Sequence, residues 1–187
     1  MRRIGITGGI GSGKSVLRIM GYSVYDTDSE AKRLMESSLE VVQKLSECFG
    51  RDIYHNGRLN RGLLSSRVFG ESDKIVLLNS IVHPVVRFDF YRWSESLNEE
   101  ICFVESAILY ESRFDELVDE VWTVTAPEEL RIGRVRQRSG LTEEEIKKRM
   151  AAQLSEEEKQ RRAAHIIWND GNVSVIHRVL SLLKSLE

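Results

Sequence analysis

Short runs of β-branched, aliphatic and aromatic residues alternate along this chain with longer stretches whose apolar positions recur every three to four residues. Arg3–Thr7 and Tyr22–Asp26 come early, Ile101–Val104 follows a long middle stretch, and Val121–Thr125 and His165–Trp168 complete the set. Runs this short and this rich in Ile, Val, Tyr and Trp predict strands. Strands separated by helices imply a parallel sheet, because parallel neighbours need a crossover connection and the crossover is usually a helix. The expected fold class is α/β, with three layers around a five-stranded parallel sheet.

Two stretches exceed what a crossover needs. Residues 29–100 show helical periodicity: Ala31, Leu34 and Met35 share one face, as do Val41, Val42, Leu45 and Phe49. No strand there is stronger than Asp52–Tyr54, so the stretch reads as a helical insertion beside the sheet. Residues 127–162 form a second helical insertion, dense in both charges, with ten of the 27 Lys and Arg residues between Arg131 and Arg162. A last amphipathic helix, Val173–Leu186, offers Val175, Val179, Leu182, Leu183 and Leu186 to the sheet. At 187 residues the whole reads as one domain, 1–187, with these pieces built into it.

Composition narrows the functional classes. The net charge is −2, with 41% hydrophobic and 30% charged residues, an ordinary globular mixture that gives no electrostatic case for nucleic acid. Cys48 and Cys102 are too few for a disulfide scaffold and lack metal-ligand spacing. No apolar run approaches the roughly 18 residues that span a bilayer, and Met1–Gly9 does not continue into a signal-peptide core. The expectation is a soluble, cytoplasmic protein without nucleic-acid or membrane partners, a monomer or weak homo-oligomer.

The chemistry is announced early. Gly8-Gly9-Ile10-Gly11-Ser12-Gly13-Lys14-Ser15 satisfies G-x-x-x-x-G-K-[ST], directly after a predicted strand and directly before a predicted helix beginning at Val16. Successive backbone N–H groups that turn inward on a phosphate leave no room for side chains, so glycine is favoured. The helix that follows directs its positive end at the same oxygens. Lys14 supplies a mobile cation for the β- and γ-phosphates, and the Ser15 hydroxyl can ligate Mg²⁺. The guanine-reading N-K-x-D and switch D-x-x-G motifs of GTPases do not occur in the sequence. A small chain with two helical inserts suits phosphoryl transfer to a small molecule, which requires closure over both substrates.

Further residues carry a specific resemblance. Besides the loop, Asp26-Thr27-Asp28, Gly57-Arg58-Leu59-Asn60-Arg61, Val68-Phe69, His83-Pro84, Glu105-Ser106-Ala107-Ile108-Leu109-Tyr110-Glu111, Ala152-Gln153 and Asn169-Asp170-Gly171 follow in order. This series is similar to that of the dephospho-coenzyme A kinase family over nearly the whole chain. The resemblance implies a P-loop NTPase fold whose helical insert 29–100 binds the acceptor and whose segment 127–162 is a lid. It also implies ATP and Mg²⁺ as cofactors, with 3′-dephospho-coenzyme A as acceptor.

Roles follow from chemistry and resemblance together. Asp28, just past the second strand, can accept the proton of an attacking ribose 3′-hydroxyl and aim that oxygen; Asp26 reads as a brace or a helix N-cap. Glu105, after the third strand, stands where P-loop proteins place an acid to orient Mg²⁺, so Ser15 and Glu105 form the expected metal pair; a buried acid paired with an arginine is the structural alternative for Glu105. Arg134 and Arg138, four apart on one helical face, are candidate phosphate clamps over ATP, Arg134 in a catalytic role beside Lys14. Asn169 and Gly171 close the last strand near the expected adenine, with Gly9–Val16 forming the rest of the ATP site. Arg61, His83, Arg87 and Glu111 are candidate acceptor-binding residues, each also open to a purely structural reading. His83, preceding a proline, is expected in an extended conformation. Trp93, Trp122 and Trp168 read as packing residues.

The chain departs from the family pattern in a few places. Val16–Met20 is about four residues shorter than the family's corresponding helix. That gap reads either as a deletion or as residues missing from the written sequence, the latter preferred because it leaves the packing behind the loop intact. Val16 replaces a threonine and Ala107 a proline. Two alternatives to the reaction above stay open: another small-metabolite or nucleotide P-loop kinase, separable by acceptor comparison, and a non-catalytic nucleotide-dependent binding module, which would hydrolyse slowly whatever the acceptor.

Overall fold

In the computed structural model, which describes residues 1–186 and so leaves out Glu187 at the end of the expected domain, all five apolar runs become strands. β1 (Arg2–Thr7) leads through the glycine loop into α1 (Val16–Ile19), and β2 (Val24–Asp26) into α2 (Thr27–Ser37) and α3 (Leu39–Phe49). A hairpin of β3 (Tyr54–His55) and β4 (Arg58–Leu59) precedes α4 (Arg61–Val68) and α5 (Ser72–Ser96). Then come β5 (Ile101–Glu105), β6 (Glu120–Thr125), α6 (Glu128–Ser139), α7 (Glu143–Ala151), α8 (Glu156–Arg162), β7 (His165–Trp168) and α9 (Val175–Lys184).

The sheet order is β2-β5-β1-β6-β7. β1 pairs in parallel with β5, Ile6 opposite Glu105, and with β6, Thr7 opposite Thr123; β6 pairs in parallel with β7. The five-stranded parallel sheet is therefore the one expected. The chain turns to opposite sides of β1 after β5, which gathers the loops after β1, β5 and β6 at one edge, where such sheets bind ligands. Ile4, Ile6, Phe103 and Trp122 are wholly buried, each contributing about 1.5–3 kcal/mol by leaving water. Leu17, Val179 and Leu183 cover them from α1 and α9. Trp168 departs from expectation: it sits at the edge strand and is 43% exposed.

The chain runs without a break through the abbreviated helix. α1 is a single turn, closed by Met20 N–H donating to Val16 O at 3.2 Å and Gly21 N–H to Arg18 O at 3.2 Å. Gly21, with φ +84°, then reverses the chain towards β2. The single turn still places Leu17 in the core, at 1% exposure.

Contacts divide the described chain into two units, one comprising Met1–Tyr25 and the segment from Leu97 onward, the other Asp26–Ser96. In the second, Leu34, Val41, Leu45, Phe49, Val82, Val86 and Phe90 are buried. The Asp52–Tyr54 stretch is a 3₁₀ turn, Arg51–Ile53, leading into β3. Asn56 (φ +49°) and Gly57 (φ +76°) make the two-residue hairpin turn that Asn-Gly favours. Leu59 is buried, and Asn60 caps α4 by accepting from Leu63 N–H at 3.0 Å. The G-R-L-N-R motif is thus a turn, a core residue and a cap in succession. α5 continues straight through Pro84, so His83 is helical and not extended. Burial of Val82, Val86 and Phe90 on either side of the proline outweighs the local preference of a pre-proline residue.

Candidate active site

The phosphate loop is shaped by close approaches. A Cβ on Gly8, at φ +142°, would lie 2.0 Å from the carbonyl oxygen of Val124; one on Gly13, at φ +95°, would lie 2.2 Å from Asn169 Nδ2. Ser12 N–H donates to Gly9 O at 3.1 Å, tightening the turn. Lys14 Nζ donates to Gly8 O at 2.9 Å and to Gly9 O at 3.3 Å, so its cation folds over the loop's own rim. Ser15 Oγ donates to Glu105 Oε1 at 3.1 Å. The two residues expected to hold a metal are thus brought together, from α1's start and β5's end, although 90 positions separate them.

α6 and the β7–α9 loop complete this rim. Arg134 donates from Nη2 to Asn169 O at 3.0 Å and Asn169 Oδ1 at 3.3 Å, and from Nη1 to Gly11 O at 3.5 Å. Asn169 Nδ2 in turn donates to Ser12 O at 2.7 Å. Arg134, Asn169, Gly11, Ser12 and Gly13 therefore form one contact group. Arg138, one turn further along α6, is exposed, and Gly171 (φ +89°) forms the turn after β7. Ile10 meets Gln153, described next, and Val16 packs against the core under the sheet.

Several participants were not expected at the site, Gln153 having appeared only within a motif. Ile10 N–H donates to Gln153 Oε1 at 3.1 Å, across 143 positions. Arg131 is 6% exposed, and its Nη1 would lie 2.2 Å from a Cβ on Gly9; its Nη1 is 3.5 Å from Glu156 Oε1, which belongs to a carboxylate that also accepts from Thr125 Oγ1. The i, i+3 spacing of Arg131 and Arg134 was the one clue that both face the loop. Lys159 is fully buried and donates to Ala107 O at 2.9 Å. Burial pushes its pKa below the ordinary lysine range, while the Glu111 and Glu156 carboxylates pull it back up. Glu111, expected at the acceptor, accepts from Leu154 N–H at 2.6 Å. Thr125, Arg131, Gln153, Glu156, Gln160 and Trp168 line a cavity of about 650 Å³ on this side of the sheet. Burial pushes the Cys102 thiol up to about 11, leaving it protonated at neutral pH and chemically quiet.

The remaining candidates lie in the helical unit. Asp26 is the N-cap of α2, accepting from Asp28 N–H at 3.1 Å and Ser29 N–H at 3.3 Å. That satisfies the helix end and leaves the Asp28 carboxylate exposed on the first turn. Arg61 pairs with Glu36 at 3.2 Å on the surface. His83 is half-buried; burial first, and the Arg87 charge second, hold its pKa below the ordinary histidine value.

Ser15 and Glu105 present a hydroxyl and a carboxylate, the hard oxygen donors that suit Mg²⁺. The described residues hold no group of three or more His, Cys, Asp or Glu side chains that could cage a metal.

A glycine loop after the central strand of a parallel sheet, an acid at the end of the neighbouring strand and arginine on the loop's rim define a P-loop phosphotransferase. Known proteins agree. The dephospho-CoA kinase family model matches residues 2–174. A dephospho-CoA kinase of Bacteroides fragilis is 40% identical over 98% of this chain and 92% of its own length. One from Porphyromonas gingivalis is 39% identical over 100% and 95%. A crystal structure from Thermus thermophilus superposes with a TM-score of 0.85 at 36% identity, covering 98% of this chain and 96% of the other. The chain belongs to the dephospho-CoA kinase family.

Proposed function

We propose that the chain transfers the γ-phosphoryl group of ATP to the ribose 3′-hydroxyl of 3′-dephospho-coenzyme A, giving ADP and coenzyme A. The observation that carries the reading is the Ser15–Glu105 contact at 3.1 Å beneath a loop rimmed by Lys14 and Arg134, in a chain of this family. With that membership, neither another small-molecule kinase nor a non-catalytic binding module is favoured.

In this reading the loop amides and Lys14 hold the triphosphate, Lys14 leaving its carbonyl contacts to do so. Ser15 and Glu105 would hold Mg²⁺, which would supply charge neutralisation for the triphosphate. Arg134 and Arg138 bind the phosphate oxygens, where a permanent planar cation lowers the barrier most as negative charge develops. Asn169 and Gly171 border the adenine. Asp28 accepts the proton of the 3′-hydroxyl and orients that oxygen; its exposure and its freedom from capping duty support this assignment. Arg61, His83, Arg87 and Glu111 serve the acceptor, the helical insert forms its site and segment 127–162 closes as the lid.

The test is ADP release with and without 3′-dephospho-coenzyme A. Release should depend on the acceptor, and Asp28→Asn should cut that turnover by about 10²–10⁴-fold while ATP still binds. Equal release with and without acceptor would overturn the reading.

A further inference from the structure

We infer that Gln153 is a positioning residue of the phosphate loop, locking the Gly9–Ile10 peptide during the interval when Lys14 lets go of it. The inference rests on the loop being the nucleotide grip and adds a residue to which the reaction above gives no part.

A peptide unit is planar, so fixing its N–H fixes its carbonyl. The Gly9–Ile10 unit is held at both ends. Its carbonyl oxygen accepts from Ser12 N–H at 3.1 Å and Lys14 Nζ at 3.3 Å, and its N–H donates to Gln153 Oε1 at 3.1 Å. Glycine on one side leaves this unit able to rotate, because no Cβ restricts Gly9. A nucleotide draws Lys14 away to its phosphates, removing one of the two carbonyl contacts. The Gln153 bond does not depend on the phosphates: the α7–α8 linker that supplies its acceptor, although inside segment 127–162, is tied to the residues after β5 and stays with them when the rest of that segment closes.

That linker is itself pinned to the edge of the sheet. Leu154 N–H, the next residue's, donates to Glu111 Oε1 at 2.6 Å, and the buried Lys159 ammonium donates to Ala107 O at 2.9 Å. Both acceptors lie just after β5. Gln153 is therefore placed by residues of the fold before any nucleotide arrives, the arrangement that lets a group act without reorganising. It also makes Glu111 and Lys159 supports of the loop, acting through Gln153.

The experiment compares Gln153→Met, which keeps length and removes the acceptor, with Gln153→Glu, which keeps an acceptor oxygen. Amide exchange at Ile10 is read in the protein without substrates, and steady-state kinetics are read separately for ATP and acceptor. Gln153→Met should speed Ile10 exchange and raise the KM for ATP, each about tenfold, with kcat and the acceptor KM nearly unchanged. Gln153→Glu should restore Ile10 protection. Unchanged Ile10 exchange in Gln153→Met, or faster exchange with an unchanged ATP KM, overturns the inference. Should Gln153→Met fail to fold, Gln153→Asn, which withdraws the acceptor oxygen by one methylene, decides alone: faster Ile10 exchange than in the wild type supports the lock and wild-type protection overturns it. Exchange needs no substrate, so a wild-type protein lacking acceptor-dependent ADP release would sink the proposed reaction without touching this result.

Discussion

The loop-bearing unit and the helical unit spend their polar side chains differently. Around the loop the contacts span the chain: Ile10 with Gln153, Ser12 with Asn169, Ser15 with Glu105, Thr125 with Glu156. In the helical unit many are a turn apart, such as Arg33 with Glu30 and Lys44 with Glu40, and among its longer ones the ion pairs of Arg33 with Asp89 and Arg61 with Glu36 lie on the surface, while Tyr54 Oη donates to Met35 O in a part-buried contact. Exposed ion pairs contribute little, whereas partly buried hydrogen bonds between distant segments fix geometry. The first unit is preorganised by its polar groups. The second is held chiefly by its apolar core, with many of its charges paired at the surface.

The contrast can be broken most severely at Lys159. Lys159→Ala should lower the unfolding free energy by about 3 kcal/mol, because it leaves Ala107 O, Glu111 and Glu156 without the buried cation that balances them. Urea denaturation would register the loss, and a change near zero would mean the network is ornamental.

A smaller effect sharpens the difference between two neighbouring acids. Asp26→Ala removes the α2 cap and should cost about 1 kcal/mol. Asp28→Asn should leave thermal stability unchanged while turnover falls. Matching losses of stability in the two variants would erase the distinction.

The least effect belongs to His83. Its folded pKa is held below the ordinary histidine value of 6.5, so in the window beneath 6.5 the unfolded chain binds more protons than the folded one. Stability from this group is full above pH 6.5 and declines as the pH falls through the folded value. Denaturation midpoints at pH 7.5 and 5.5 should differ more in the wild type than in His83→Gln, and equal differences would refute the assignment.

What could be read from residues alone follows their locality. Strands were legible because β-branched runs carry their own preference, and the loop because its glycines, Lys14 and Ser15 are contiguous. The Ser15–Glu105 pairing was legible through topology, since adjacent parallel strands end side by side. Gln153 was visible only as part of a motif, and the burial of Arg131 and Lys159 not at all. A charge-dense segment looks solvated until its partners, more than 100 positions away for Arg131 at Gly9, are known. His83 and Trp168 failed for the converse reason: in one, packing overrode a local backbone preference, and in the other a large apolar ring stayed at the sheet's edge.

The four-residue α1 has a consequence for how this protein meets heat. A helix of one turn cannot sustain itself in water, so its order is borrowed through Leu17 from Ile4, Ile6 and Val179. Detachment of Leu17 from that cluster on warming would release the anion grip before the sheet melts, and saturating nucleotide would raise the temperature at which both let go.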